Sequence, residues 1–170
     1  MTASKQSWIQ ELRSRLDSPP PVHLTVDDKR RAAVLVPLFV DAGQLWTILT
    51  LRADDLPHHR GQVAFPGGQL EAGETPWQAA LRESREEIGL ESERVLDLGR
   101  LDELETTTGF HIMPVVGAMP RPESFVIREA EVAEAFSVPL SALANPQMVE
   151  ERMVKIEGRE RELRIYHVGG

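Results

Sequence analysis

Residues 68–90 read GQLEAGETPWQAALRESREEIGL, and the reading of this stretch decides the fold. Thr75 is a good N-cap, Pro76 suits the first helical position and Gly89 can end a helix, so the spacing predicts a helix over 75–89. Glu83, Glu86 and Glu87 stand at i, i+3 and i+4, which puts three carboxylates on one face. Trp77, Ala80, Leu81, Ser84 and Ile88 lie on a face rotated by roughly a third of a turn, at ~100° per residue. One face can therefore pack on a sheet while its neighbour collects negative charge. Three like charges so close repel one another unless protons or cations intervene. Hard oxygen ligands in that number suit Mg2+ or Mn2+, which commonly bridge carboxylates to substrate phosphates. Taken alone, E-x-x-E-E reads first as a solvated helix face with Arg82 and Arg85 as ion-pair partners, and it is the surrounding residues that change this.

Working outward, the 170 residues fit one ordinary domain, and 41% hydrophobic with 27% charged residues is the balance of a soluble globular chain. With no cysteine, disulfides and thiolate metal sites are excluded, and a reducing cytoplasm is the expected setting. The start, MTASKQSWIQELRSRLD, carries charges throughout and does not read as a signal peptide; no later stretch is long and apolar enough to span a bilayer. A formal net charge of −8 argues against a nucleic-acid surface, which needs a basic face. It leaves room for a small phosphorylated substrate, because a few arginines and a divalent cation can reverse the field locally.

Trp8, Ile9, Leu12 and Leu16 predict a short amphipathic helix over 5–17, stopped by Pro19, Pro20 and Pro21, so residues 1–31 read as a helix and linker ahead of a domain over 32–170. AAVLVPLFV (32–40) and LWTILTLR (45–52) read as a hairpin turned at Asp41, Ala42 and Gly43. In VAFPGG (63–68) the pair Gly67 and Gly68 permits unusual backbone angles and the close approach of a ligand. Strands are expected at 94–101 and 110–118, short helices at 129–136 and 139–144, and a last hairpin at 152–156 and 162–168 turned at Glu157 and Gly158. The interleaving predicts an α/β layered domain.

Residues 68–90 resemble the Nudix signature G-x5-E-x7-R-E-U-x-E-E-x-G-U in spacing throughout, with Gly68, Glu74, Arg82, Glu83, Glu86, Glu87, Gly89 and Leu90 in the required places. Ser84 departs, where the pattern asks for an aliphatic residue. The resemblance implies the Nudix fold, an α+β arrangement with a mixed sheet sandwiched between helices and this loop–helix–loop supplying the metal site. It also implies hydrolysis of a nucleoside diphosphate linked to another moiety, with Glu83, Glu86 and Glu87 binding Mg2+ or Mn2+. Glu74 then supports the loop and Arg82 orients the acids, behind the reacting groups. A metal lowers the pKa of a bound water and a carboxylate takes its proton. Glu86, Glu87 and Glu131 are the candidates for that base, and Glu131 reads equally as a helix N-terminal acid.

The flanking sequence narrows the substrate. ILTLRADDLPHHRGQVAFPGGQLE, TTTGFHIMPVVGAMP and EAEVAEAFSVPL resemble the extended motifs of the coenzyme A pyrophosphatase branch, from about residue 32 to 142. This implies cleavage of coenzyme A or its derivatives into 3′,5′-ADP and 4′-phosphopantetheine. Arg52 has a bidentate phosphate contact available to it, and His59, Arg60 and Phe110 complete the expected substrate contacts, Phe110 by stacking on adenine. Pro57 departs, standing where the branch has an arginine in the loop after Arg52. The chain stops at IYHVGG where the branch continues, so either the C-terminus is truncated or a homodimer covers the apolar surface left bare. Two other readings stand beside this one: a Nudix enzyme for ADP-ribose, NADH or a dinucleoside polyphosphate, and a non-catalytic Nudix module that senses a nucleotide.

Overall fold

A computed structural model describes residues 3–24, 29–53, 62–106, 109–156 and 159–166. In chain order the elements are α1 (Ala3–Leu16), β1 (Arg30–Asp41), β2 (Gln44–Arg52), β3 (Val63–Ala64), β4 (Gly67–Gln69), α2 (Pro76–Ile88), β5 (Leu96–Arg100), β6 (Leu104–Glu105), β7 (Phe110–Ala118), β8 (Val132–Pro139), α3 (Leu140–Leu143), β9 (Val149–Ile156) and β10 (Arg159–Tyr166).

β1 sits at the centre because its aliphatic run can be covered on both sides. Ala33, Leu35 and Phe39 enter one core with Ala79, Ala80 and Ile88 of α2. Val36 and Leu38 point the other way, into a second core with Ile9 of α1, Leu98, Val116 and Ala118. The sheet is thus sandwiched between α2 and α1, and α1 is built into the packed body. At Gly99 of β5, a Cβ would stand 3.2 Å from Leu16, so the glycine lets the end of α1 lie close to the sheet.

The sheet is mixed. β1 runs parallel to β7 from Arg30↔Phe110 to Leu38↔Ala118. Its other edge is shared: Leu38 to Asp41 pair antiparallel with β2, and Ala32 to Val34 pair antiparallel with β4. Ala42 and Gly43, with φ 46° and 77°, close the hairpin between β1 and β2. Beyond the hairpin β2 leaves β1 and pairs with β3 and β8. The segment before α2 fills that divergence, where the Leu35 N–H donates to Pro66 O, while the segment before β8 runs along the opposite edge of β2, where the Ala53 N–H donates to Glu131 O.

Three expectations need correcting. Residues 129–136 do not form a helix: Val132–Pro139 is a strand, antiparallel to β2 from Trp46↔Pro139 to Arg52↔Val132. The helix-forming AEA run yields because the open edge of β2 offers a full ladder of backbone partners, and Val132 and Val138 are buried by it. Residues 104–105, outside the strands expected at 94–101 and 110–118, pair with Ile112 and His111. Residues 92–94 form a 3-10 turn, so the strand expected from 94 begins at Leu96. The last hairpin forms from Arg159↔Ile156 to Tyr166↔Val149; its turn, Glu157 and Gly158, lies outside the described residues. No helix among the described residues is long and apolar enough to cross a membrane.

Candidate active site

α2 forms where its local sequence directs. The Thr75 hydroxyl accepts the Gln78 N–H, and the Gln78 side-chain oxygen accepts the Thr75 N–H at 2.9 Å, a reciprocal capping box with Pro76 following. Gly89 closes the helix in the left-handed region at φ 70°, and its N–H donates to Arg85 O at 3.0 Å. Ser84 is fully buried and donates its hydroxyl to Ala80 O at 2.7 Å, so the departure from the signature is a satisfied core position.

The two glycines before the helix serve packing within the protein. At Gly67, φ 154°, a Cβ would lie 2.3 Å from Ala33 O, and at Gly68 it would lie 2.4 Å from the Glu83 carboxyl carbon. Only a bare backbone lets β4 lie this close to both β1 and the acidic side of α2. The Gly67 N–H then donates to Glu87 Oε2 at 3.0 Å.

Glu87 is buried among core residues, and burial pushes its carboxyl up to about 7 against the pull of the Gly67 N–H, with the negative charges of Glu83 and Glu131 adding to the rise and Arg52 opposing it. Glu83 is also raised, by burial first, while Arg82 opposes and Glu86 and Glu131 add like charge. Glu86 is more exposed and stands 3.8 Å from Arg82 and 3.9 Å from Arg128. Arg82 grips Glu74 through two hydrogen bonds of 2.8 and 3.0 Å, reaches Glu83 at 2.8 Å and donates to Gln69 O. The Arg82 hydrogen bonds hold the Glu74 carboxyl below its ordinary range, with the Glu71 N–H contributing.

Two elements distant in sequence complete the cluster. The last carbonyls of α2 would be orphaned at a helix end; instead Val126 N–H donates to Ile88 O at 3.1 Å and Arg128 N–H to Glu87 O at 2.9 Å. This draws residues 126–131 alongside the acids. Ala53 N–H donates to Glu131 O at 3.0 Å, where the β2–β8 ladder is irregular beside Arg52. Arg128 bridges Glu86 and Glu131, the latter at 3.3 Å. The Nε of half-buried Arg52 is itself buried with no hydrogen-bond partner among the described residues.

The structure therefore gathers Glu83, Glu86, Glu87, Glu131 and Arg52, with Glu74 and Arg82 bracing the loop. It does not bring Phe110 among them. Alternation along β7 puts that ring on the face of Val116, away from α2, and the Arg30 guanidinium lies 4.0 Å over it. His59 and Arg60, with Pro57, fall outside the described residues. Arg128 was missed by sequence reasoning, although a basic residue three positions before Glu131 was the available signal.

Among the described residues, no three His, Asp or Glu side chains are arranged as a ready-made cation cage. The carboxylates face Arg82, Arg128 and the Gly67 N–H. The donor chemistry nevertheless fits a hard divalent cation: crowded carboxylates, two of them held up by burial, would each be relieved by one.

Residues 29–157 match the NUDIX domain family, and the chain belongs to that family. Among curated relatives, it is 42% identical over 123 residues to the "Uncharacterized Nudix hydrolase NudL" of Enterobacter sp. strain 638, covering 72% of this chain and 64% of the relative. It is 40% identical over 130 residues to the protein of the same name from Photorhabdus laumondii, covering 76% and 69%. The chain thus spans about two thirds of these relatives' length. Among solved structures, the Nudix hydrolase RenU of M. smegmatis superposes with a TM-score of 0.58 at 28% identity, over 68% of this chain and 74% of that one.

Proposed function

We propose that this chain is a divalent-cation-dependent hydrolase of a pyrophosphate linkage, with coenzyme A or a derivative as its substrate and 3′,5′-ADP and 4′-phosphopantetheine as products. The observation that carries the reaction type is the meeting of Glu83, Glu86 and Glu87 on α2 with Glu131 and the buried Arg52 Nε, which has no partner among the described residues. Glu83, Glu86 and Glu87 would hold Mg2+ or Mn2+, which when bound neutralises phosphate oxygens and lowers the pKa of a coordinated water. Arg52 offers a desolvated donor to a phosphate oxygen, a stronger contact than an exposed arginine gives. Glu131, on a different element from the other three acids, can take a proton from water without leaving its backbone position. Glu74 and Arg82 keep Glu83 in place and touch no reacting atom. The choice of coenzyme A rests on the sequence motifs around Arg52, the VAFPGG loop and the TTTGF segment, and on nothing in the geometry of the acids.

The test is a substrate panel. The protein is incubated with Mg2+ or Mn2+ and coenzyme A, dephospho-coenzyme A, ADP-ribose, NADH or nucleoside triphosphates, and products are identified by mass. Phosphopantetheine from coenzyme A, formed well above the rate of any other cleavage, is the expected result. Comparable or faster turnover of ADP-ribose would sink the substrate assignment while leaving the reaction type. No turnover of any compound, with tight nucleotide binding, would replace the enzyme with a sensor.

A further inference from the structure

Three arginines border the acidic face, and they are held differently. Arg82 is fixed by two bonds to Glu74, one to Glu83 and one to Gln69 O. Arg52 is the last residue of β2 and is half-buried. The Arg128 side chain is 53% exposed, and its recorded ion pairs are long ones to Glu86 Oε2 at 3.9 Å and Glu131 Oε1 at 3.3 Å. What secures residue 128 is its backbone: its N–H donates to Glu87 O, and its carbonyl accepts the N–H groups of Glu131 and Val132 at 2.9 and 3.0 Å. The guanidinium can therefore swing away without breaking any of these backbone bonds.

We propose that Arg128 is a displaceable counter-cation of the site: it offsets the charge of Glu86 and Glu131 in the cation-free protein and yields them when a divalent cation binds. The inference rests on reading Glu83, Glu86 and Glu87 as that cation's ligands. Arg128 is placed for this and Arg82 is not, because among the described residues it is Arg128 that pairs with both an acid of α2 and the acid of the loop before β8. Two consequences follow. The divalent cation must compete with a tethered positive charge, which weakens its binding. Its entry also releases Glu131 from an ion pair, leaving that carboxylate available as a proton acceptor. Arg128 is on this account a positioning residue, acting through Glu86 and Glu131.

The experiment is a Mn2+ titration of the cation-free full chain by calorimetry, without nucleotide, for wild type, Arg128→Ala, Arg128→Gln, Arg128→Lys and Glu86→Gln. Half-exposed ion pairs of this kind shift an equilibrium by about 1.5-fold to fivefold. Arg128→Ala and Arg128→Gln should therefore bind Mn2+ tighter by about that factor, with Arg128→Lys close to wild type. The gain should shrink as salt is raised, since the competing charge is screened. Circular dichroism checks that each variant is folded, and the glutamine variant, which keeps the polar stem, stands in if alanine unfolds. Equal or weaker Mn2+ binding in both neutral variants overturns the proposal. If wild type binds no Mn2+, or Glu86→Gln binds it as well as wild type, the reading of α2 as the cation site fails instead, and this inference fails with it.

Discussion

Two carboxylates of this protein, Glu87 and Glu103, have nearly opposite surroundings. Glu87 lies buried in α2 with the Gly67 N–H as donor and like charges near it, and burial lifts its carboxyl to about 7. Glu103 lies between β5 and β6, where burial would also raise it. There His23 meets Oε1, while His111 and the Leu24 N–H meet Oε2, each at 2.8 Å, and together they lower the carboxyl to about 2. The first group is charged against its environment; the second is held in its charged form by every near neighbour. The difference separates site from scaffold. Glu103 ties the segment after α1 to the start of β7, and its charge is used up in doing so. Glu87 keeps an electrostatic demand that the protein itself does not meet, which is the condition for recruiting a cation.

The comparison can be broken most strongly through catalysis. Glu86→Gln keeps the shape of the acidic face and removes one charge, so kcat should fall by about 10²–10⁴-fold with the fold intact by circular dichroism. A loss of only a few-fold would show that α2 is not the reactive centre. The second test concerns stability without metal. Because the Glu87 carboxyl is raised in the folded state, folding should weaken as pH climbs from about 4.5 to 7 and stay weakened above. Glu87→Gln should therefore be more stable than wild type at pH 8 by up to about 3 kcal/mol, with the gain gone near pH 5, as read from urea melts with chelator present. A variant less stable at pH 8 would overturn the assignment of strain. Glu103→Gln should show the reverse sign and the smallest effect. The depressed carboxyl stabilises the fold above about pH 4.5 and ceases to do so as pH falls toward 2. The variant should lose about 1–2 kcal/mol at neutral pH, and its melting curve should converge on wild type in acid. Equal stability at pH 7 would mean that the histidine clamp contributes nothing.

Legibility from sequence followed how local each interaction is. The cap at Thr75, the stop at Gly89 and the spacing of Glu83, Glu86 and Glu87 depend on residues within a turn or two of one another, so α2 and its acidic face were readable. The strands 32–40, 45–52 and 110–118 were readable because their apolar runs must be buried whatever the topology. Val132–Pro139 was misread as part helix because its strand state depends on the free edge of β2, some eighty residues earlier. Arg128 was passed over for a related reason: it reaches the acids only because the end of α2 recruits the backbone of 126–128.

By itself, then, the sequence determined the helix, its three acids, the glycines beside it and the family to which they belong, since all are written in short-range spacing. The tertiary structure alone decided which distant groups join them. Glu131 and Arg128 arrive through hydrogen bonds to the end of β2 and to the last carbonyls of α2, and Arg52 has a buried donor with no partner among the described residues. Burial in the assembled core, which no local pattern encodes, is what raises Glu87 and makes that cluster of acids want a cation.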